Sequence, residues 1–246
     1  MGSRHLKRLP APRTWPIKRK EAVWTVKPRP GPHPQEACIP LLVLVRDVLG
    51  YAETSREARI LIKEGRFLID GKVRRDPKYP VGLMDVVEVP DAGEAYRVLP
   101  GKGRFVLHPV GEEEKGFKLC RIEDKTTVKG GHIQLNLHDG RNVLIRVENP
   151  RNPVEDVYKT YDVLKISIPE QEVLEHIKFG EGVYAIVTWG RRMGEVGRVV
   201  EVSRGSMLKP WTVKLQRVDG STFETVREYV FALGVEKPLI SLPGGP

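Results

Sequence analysis

Cysteine is nearly absent from this chain of 246 residues, which has only Cys38 and Cys120, far apart in sequence. Neither lies in a CxxC pair or beside paired histidines, so the spacing argues against a zinc site or a disulfide and predicts two buried thiols. Long hydrophobic runs are missing too: none approaches the roughly 20 residues that cross a bilayer. The N-terminus also lacks a hydrophobic signal segment. We therefore expect an intracellular protein with no membrane partner.

Recognisable catalytic motifs are also missing. The six histidines include no HExxH motif, and no serine or cysteine lies in a nucleophile elbow. Residues 101–104, Gly-Lys-Gly-Arg, resemble a phosphate-binding loop only loosely, because the full GxxxxGK(S/T) pattern is lacking. His138 and Asp139 stand at an expected hairpin turn, where turn formation explains the aspartate. The residues therefore offer no positive evidence for catalysis, and they indicate no cofactor, no metal and no small-molecule substrate.

Positive charge is in excess, and it is concentrated at one end of the chain. The net charge is +9, and residues 1–33 hold nine basic residues against the single acid Glu21, a net of +8. Residues 34–246 therefore carry a net of only +1. A nearly neutral body with a basic arm is typical of proteins that bind nucleic acid.

The basic arm, residues 1–38, has seven prolines among its first 34 residues and contains Trp15 and Trp24. It sustains neither a helical nor a strand period, so it has no core of its own. We predict an extended segment that becomes ordered only against a partner, with both indoles stacking on bases or filling apolar clefts. A disordered solubilising tail is the alternative, but two large apolar rings argue against it.

A helix followed by a hairpin is the most informative local pattern. Thr54 and Glu57 form a capping box at the start of the helix, which ends at Gly65. The hairpin turns at Asp70-Gly71, a dipeptide that favours a type I′ turn. At about 100° per residue the helix has a basic face and a packing face: Arg56, Arg59 and Lys63 lie opposite Ala58, Leu61 and Ile62. A solvated face with no function is the alternative reading.

The fold class that we predict is α+β, mostly β, in five segments. They are a basic Pro-rich extended arm (1–38), an α+β RNA-binding module (39–100), a central β domain (101–178), a small barrel (179–235) and a tail (236–246). Within them we predict a helix over 41–49 and strands over 86–89, 133–137, 163–168, 183–188, 198–202, 211–216 and 222–226.

Several motifs carry a resemblance to known families. The helix, glycine and hairpin of residues 54–72 resemble the RNA-binding module of bacterial-type small-subunit protein four and of heat-shock RNA-binding proteins. Residues 193–199, Met-Gly-Glu-Val-Gly-Arg-Val, resemble the KOW motif, with Gly197 as its central glycine. The order of these motifs, together with residues 5–9, 118–120 and 240–243, is similar to the archaeal and eukaryotic S4e family of small-subunit ribosomal proteins.

The resemblance implies a structural constituent of the small ribosomal subunit that supports subunit assembly and translation in the cytoplasm. Its partners would be small-subunit ribosomal RNA and neighbouring ribosomal proteins, without enzymatic activity and without homo-oligomers. It also implies that the barrel of residues 179–235 is an SH3-like KOW barrel. Only four asparagines and four glutamines are present, which favours a heat-loving archaeal source.

The candidate RNA contacts are the basic residues of three segments and one tryptophan. In the arm they are Arg4, Lys7, Arg8, Arg13, Trp15, Lys18, Arg19 and Lys20. In the helix and hairpin they are Arg56, Arg59, Lys63, Arg66, Lys72, Arg74 and Arg75, and in the barrel loop Arg191, Arg192 and Arg198. Gly65, Gly71 and Gly197 are the predicted structural glycines.

Two other functions remain open on the residues alone. An RNA-modifying enzyme could hold its substrate with residues 39–100, although residues 101–178 supply no recognisable catalytic group. A KOW-type transcription or translation factor would instead bind polymerase or ribosome transiently. Sedimentation in high salt separates these readings, because a structural constituent stays on the small subunit.

Overall fold

The computed structural model describes residues 4–149, 153–206 and 209–243. It confirms the predicted α+β, mostly β, class. The chain divides into two compact units, the first ending at Lys118 and the second beginning at Leu119. No helix in the described ranges is long and apolar enough to cross a membrane. Residues 1–3 of the predicted arm and residues 244–246 of the predicted tail lie outside these ranges.

In unit 1, three antiparallel sheets accompany short helices. The helices are α1 Leu41–Val43, α2 Ser55–Glu64 and α3 Glu112–Lys115, with a π-helical turn Leu44–Val48 and 3₁₀ turns Gln35–Ala37 and Pro90–Ala92. The strands are β1 Leu6–Lys7, β2 Trp24–Thr25, β3 Cys38–Pro40, β4 Leu68–Ile69, β5 Lys72–Val73, β6 Pro80–Gly82, β7 Val86–Val89, β8 Glu94–Pro100 and β9 Phe105–Pro109. The sheet orders are β1-β2, β3-β6 and β5-β4-β7-β8-β9.

The helix α2 and its hairpin confirm the local prediction. The side chain of Thr54 accepts a hydrogen bond from the Glu57 amide at 3.3 Å, and the Glu57 carboxylate accepts one from the Thr54 amide at 3.3 Å. Gly65 ends the helix at φ 88°. Asp70 and Gly71 both have positive φ, 50° and 68°, as a type I′ turn requires.

The predicted helix over residues 41–49 is present in a different form. A single α-turn at α1 passes into the π-helical turn, and the Leu49 amide donates to the Leu44 carbonyl at 2.9 Å, five residues back. Residues 41–45 are all buried, each at 0% exposure. Together with Ala58 and Ile62 of α2 they belong to the apolar interior of unit 1.

A buried charged cluster stands beside this interior. Lys118 Nζ lies 3.0 Å from Asp70 Oδ2 and also donates to Asp85, while His33 Nε2 lies 3.1 Å from Asp85 Oδ1. Burial alone would raise the pKa of Asp85, but the charges of His33 and Lys118 outweigh it and hold that pKa below its usual range. The cluster thereby joins the arm, the hairpin turn and the end of unit 1.

The expectation that the arm is ordered only against a partner is wrong. Trp15 is 3% exposed, and its Nε1 donates to the Cys38 carbonyl at 2.5 Å. The Phe105 amide donates to the Thr14 carbonyl at 2.9 Å, and Ala11 is buried as well. The arm has no core of its own because its few apolar side chains enter the core of the module instead.

In unit 2, two five-stranded antiparallel sheets carry the fold. The first has the order β12-β11-β10-β13-β14 and the second the order β18-β17-β16-β15-β19. The strands are β10 Phe117–Thr127 (which begins in unit 1), β11 Ile133–Leu137, β12 Asn142–Ile145, β13 Val163–Ser167, β14 Val173–Ile177, β15 Tyr184–Val187, β16 Val196–Ser203, β17 Thr212–Gln216, β18 Thr222–Val226 and β19 Val230–Gly234. A 3₁₀ turn, Arg227–Tyr229, precedes β19. The strands predicted within this unit are confirmed to within a few residues.

Close strand packing explains the central glycine of the barrel sheet. A Cβ on Gly197 would lie 2.8 Å from the carbonyl oxygen of Gln216 in β17, which is closer than real Cβ contacts allow. The predicted tail also has a packing role, because Ile240 and Leu242 are buried at 4% and 8% exposure.

Both cysteines are buried thiols, as predicted. Burial, helped by the charge of Asp85, raises the pKa of the Cys38 thiol to about 12. A thiol in this state is a poor nucleophile at neutral pH.

Candidate nucleic-acid interface

The basic face of α2 is open to solvent. Arg56, Arg59 and Lys63 are exposed, and none of them has an acidic partner within ion-pair distance in the described ranges. Ile60, which lies among them, is 49% exposed. The opposite face carries Ala58 and Ile62 at 0% exposure, so the helix separates packing from charge as the sequence predicts.

A groove in unit 1 brings the arm and α2 together. Its volume is about 400 Å³, and Arg59 lines it from the helix side. The other basic side chains in its lining are Arg4, Lys27, Arg29 and Lys78, and the acidic one is Asp76. Five cations against one acid make a net charge of +4, so the groove has the sign and size that suit a phosphate backbone.

An exposed aromatic side chain lies on the wall of this groove. Trp24, in β2, is 57% exposed. His5 makes an edge contact with it at 5.7 Å between ring centres, and Lys7 Nζ lies 5.9 Å from the centre of its ring. The pairing of β1 with β2 places Lys7 opposite Trp24, and His5 directly precedes β1. An exposed indole among cations is a suitable surface for stacking a base.

The two tryptophans of the arm therefore have different positions. Trp15 is enclosed by protein and cannot stack on a base in this structure. Arg8 is also buried: it lies 3.2 Å from Asp47 and 3.4 Å from Glu21. We leave Arg8 and Trp15 out of the interface, because both hold the arm in place.

Arg19 has a similar structural role. Its guanidinium donates to the carbonyls of Leu9, Ala11 and Pro12 at 2.9, 2.7 and 2.9 Å. These bonds close the loop between β1 and β2. Half-buried, it is less available to RNA than the exposed arm cations, which are Arg4, Lys7, Arg13, Lys18, Lys20 and Arg29.

The cations of the hairpin region differ in how free they are. Arg66 lies 2.7 Å from Glu64 and 3.5 Å from Asp91, so acids already neutralise it. The Arg74 guanidinium carbon lies 4.6 Å from the Tyr79 ring centre and the residue is half-buried. Two further cations, Lys72 and Arg75, are exposed.

In unit 2 the three predicted loop arginines are also unequal. Arg191 is exposed. Arg192 lies 3.4 Å from Glu195 and 5.0 Å from the ring centre of Phe223. Arg198 is exposed, and its Nε donates to the Gly182 carbonyl at 2.8 Å. Arg191 is therefore the most available of the three.

Sequence reasoning missed His5, Lys27, Arg29 and Lys78 as members of this groove. Their basic character was visible, but nothing in a local pattern shows that β1 pairs with β2, or that residue 78 lies beside residue 29. The Arg29 amide donates to the Lys78 carbonyl at 3.0 Å, which is a contact between distant segments.

One cluster in unit 2 has the composition of a metal site. Ligand atoms of Cys120, His138 and Asp139 lie within 4.8 Å of one another. The carboxylate of Asp139 already lies 3.1 Å from Arg141 Nε, and His138 Nδ1 accepts the Arg121 amide at 3.2 Å. An arginine supplies the charge that a metal would bring, so we assign no metal to these residues.

Comparison with known proteins agrees with these observations. Residues 1–36 match the RS4NT (NUC023) domain, residues 39–87 the S4 domain and residues 92–173 the Ribosomal family S4e. Small ribosomal subunit protein eS4 of Ignicoccus hospitalis is 61% identical, with 99% of this chain and 96% of that protein covered. Its counterpart in Aeropyrum pernix is 59% identical, with 99% and 97% covered.

A solved structure is similar as well. The crystal structure of 30S ribosomal protein S4e from Thermoplasma acidophilum matches with a TM-score of 0.65 at 31% identity, covering 79% of this chain and 93% of that one. The relatives match nearly the whole chain, and the family models match three segments of it between residues 1 and 173. The chain belongs to the S4e family of ribosomal proteins.

Proposed function

We propose that this chain is a structural constituent of the small ribosomal subunit that binds small-subunit ribosomal RNA through the groove of unit 1. The observation that carries the proposal is the convergence of five cations and an exposed indole in one groove. Membership of a ribosomal protein family disfavours the alternative that the chain is an RNA-modifying enzyme. It also favours a resident ribosomal protein over a transient factor.

The groove suits a phosphate backbone for chemical reasons. Guanidinium groups such as those of Arg4 and Arg59 can donate two parallel hydrogen bonds to one phosphate. Each neutralised phosphate releases counterions, so binding weakens with salt in proportion to the number of contacts. Trp24 adds stacking, which does not depend on salt in this way.

The arm in this structure differs from a flexible arm because its basic side chains are held in place before RNA binds. Trp15, Arg8 and Arg19 fix the arm on the rest of unit 1, and Arg4 and Lys27 of the arm line the groove together with Arg59. A rigid surface loses less side-chain and loop entropy on binding than a mobile one. The arm and α2 therefore act as one surface rather than as two tethered sites.

The segment boundaries remain part of the proposal. We assign residues 1–38 to the arm, 39–100 to the RNA-binding module, 101–178 to the central β domain, 179–235 to an SH3-like KOW barrel and 236–246 to the tail. The tight approach at Gly197 and the order of the barrel sheet support the KOW assignment. Neighbouring ribosomal proteins are the further partners, and Arg191 is a secondary RNA contact.

A salt series of RNA binding tests the groove. The full chain is titrated with small-subunit ribosomal RNA at several salt concentrations, as wild type and as Arg59→Gln, Lys78→Gln and the double variant. We expect each substitution to weaken binding and to lower the salt slope by about 1. Arg104→Gln is the matched control, because it removes an exposed arginine of unit 1 outside the groove.

The binding and sedimentation results distinguish the proposed function from its alternatives. A double variant with the affinity and slope of the wild type would rule out the groove as the RNA interface. Retention of the wild-type chain on the small subunit through sedimentation in high salt is expected of a structural constituent. Release to the top of the gradient would favour a transient factor instead.

A further inference from the structure

A series of arginine and aromatic side chains lies in unit 2, separate from the predicted loop arginines. The guanidinium carbon of Arg227 lies 4.0 Å from the ring centre of Tyr161 and 4.3 Å from that of Trp211. Arg204 lies 5.9 Å from the Trp211 ring centre, and Arg121 lies 5.5 Å from the Tyr161 ring centre. The contacts form a continuous series from Arg121 to Arg204.

The backbone holds the centre of this series in register. Trp211 directly precedes β17 and Arg227 directly follows β18, whose first registered pair is Thr212 with Val226. The Arg227 amide donates to the Trp211 carbonyl at 2.9 Å, which extends this ladder by one step. Paired residues of antiparallel strands present their side chains on one face. The indole and the guanidinium are therefore positioned before any ligand arrives.

The inner end of the series is used by the fold. Arg121 donates to the carbonyls of Glu228 and Val230 at 2.7 and 3.0 Å, and it lies 2.7 Å from Glu123. Tyr161 has a left-handed backbone, φ 74°, which L side chains rarely adopt. The ring of Tyr161 lies against the guanidinium groups of both Arg121 and Arg227.

The outer end is open. Trp211 is 37% exposed, and Arg204 is exposed. In the described ranges, neither Arg204 nor Arg227 has an ion pair or a side-chain hydrogen bond, and Arg227 Nε is buried without an acceptor. Two cations beside an exposed indole form a surface that attracts a planar aromatic group with a nearby negative charge.

We propose that Trp211, Arg204 and Arg227 form a binding site for an unpaired nucleobase of ribosomal RNA and its phosphate. The base stacks on the indole, as unpaired bases do on aromatic side chains. Arg204 donates hydrogen bonds to the phosphate. Arg227 is a positioning residue that holds the indole and adds charge. This inference rests on the proposed RNA binding and adds a second contact of a different kind.

Two substitutions separate stacking from charge. In the full chain, Trp211→Ala should weaken binding to small-subunit ribosomal RNA by about 5- to 150-fold and leave the salt slope unchanged. Arg204→Gln should weaken binding and lower the slope by up to about 1. Arg146→Gln is the matched control, because it removes an exposed arginine of unit 2 that has no described aromatic contact, and it should behave as wild type.

A second measurement does not depend on removing a packed ring. Ultraviolet irradiation of the wild-type complex, followed by mass spectrometry of digested peptides, should find a nucleotide attached at Trp211 or a residue next to it. Trp211→Phe, which keeps a smaller ring, should retain part of the affinity.

These experiments can contradict the base site at Trp211 and still leave the proposal of RNA binding in the groove of unit 1 intact. Trp211→Ala binding as tightly as wild type, while Arg59→Gln weakens binding, would exclude the base site and keep the groove. Nucleotide adducts only elsewhere, or an adduct of Trp211 with a neighbouring protein in the assembled subunit, would exclude it too. A wild-type chain that does not bind the RNA would overturn both proposals.

Discussion

Replacing Lys118 with methionine tests what holds unit 1 together. The Lys118 side chain is 1% exposed, and its Nζ lies 3.0 Å from Asp70 and also contacts Asp85. Methionine keeps most of the apolar stem and removes the charge. Two buried carboxylates then lose the cation that lies between them, and the chain must either bury uncompensated charge or take up a proton.

The magnitude follows from the partners that remain. Asp85 still accepts the Gly82 amide at 2.8 Å and has His33 at 3.1 Å, while Asp70 still accepts the Val86 amide at 3.0 Å. Breaking a buried ion pair costs about 3–5 kcal/mol. Because both carboxylates keep hydrogen bonds, we expect a loss near the lower limit, about 3 kcal/mol of the free energy of unfolding.

Urea unfolding of the full chain measures this loss, and hydrogen exchange of peptides over residues 82–86 assigns it to unit 1. The control is the exposed pair of Arg29 and Asp76, 2.9 Å apart. Arg29→Gln should cost no more than about 1 kcal/mol. A Lys118→Met variant as stable as Arg29→Gln would refute the reasoning, because the buried cluster would then contribute little.

The pH dependence of the free energy of unfolding tests the role of Lys118 in a second way. The pKa of Asp85 is lower in the folded chain than in the unfolded chain. Ionised Asp85 therefore makes its full contribution to the free energy of unfolding above the unfolded pKa, about 3.9. That contribution is lost as the pH falls through the folded pKa. Without Lys118 the pKa of Asp85 is lowered less. The free energy of unfolding of Lys118→Met should therefore fall less steeply with acid below about pH 4 than that of the wild type.

Three further predictions follow from local features. Thr54→Ala removes half of the capping box and should cost about 1 kcal/mol, measured by thermal unfolding; a neutral result would mean that the cap is redundant. Cys38, with its pKa raised to about 12 by burial, should resist alkylation in the native chain at pH 8, and rapid labelling would contradict its burial. Gly197→Ala should cost about 1–3 kcal/mol because its Cβ would meet the Gln216 carbonyl at 2.8 Å, whereas Gly180→Ala, with open space around it, should be nearly neutral.

The sequence by itself determined the elements whose signals are local. The capping box of α2 joins residues three apart, the turn at Asp70-Gly71 needs only two positive φ angles, and the alternation over 133–137 shows the buried face of one strand. Interactions between close neighbours are specified by the residues themselves, so these predictions needed no knowledge of the rest of the chain. The basic face of α2 followed from the same periodicity.

Only the tertiary structure decided which basic and aromatic residues are exposed and which are buried. Trp15 and Trp24 look alike in the arm, yet one is 3% and the other 57% exposed, because the arm uses one ring to enter the core of the module. The groove depends on Arg29 meeting Lys78, and the proposed base site depends on Arg227 lying between Tyr161 and Trp211. Such contacts join segments far apart in sequence, and they form only when burial of the whole unit offsets the entropy of bringing those segments together.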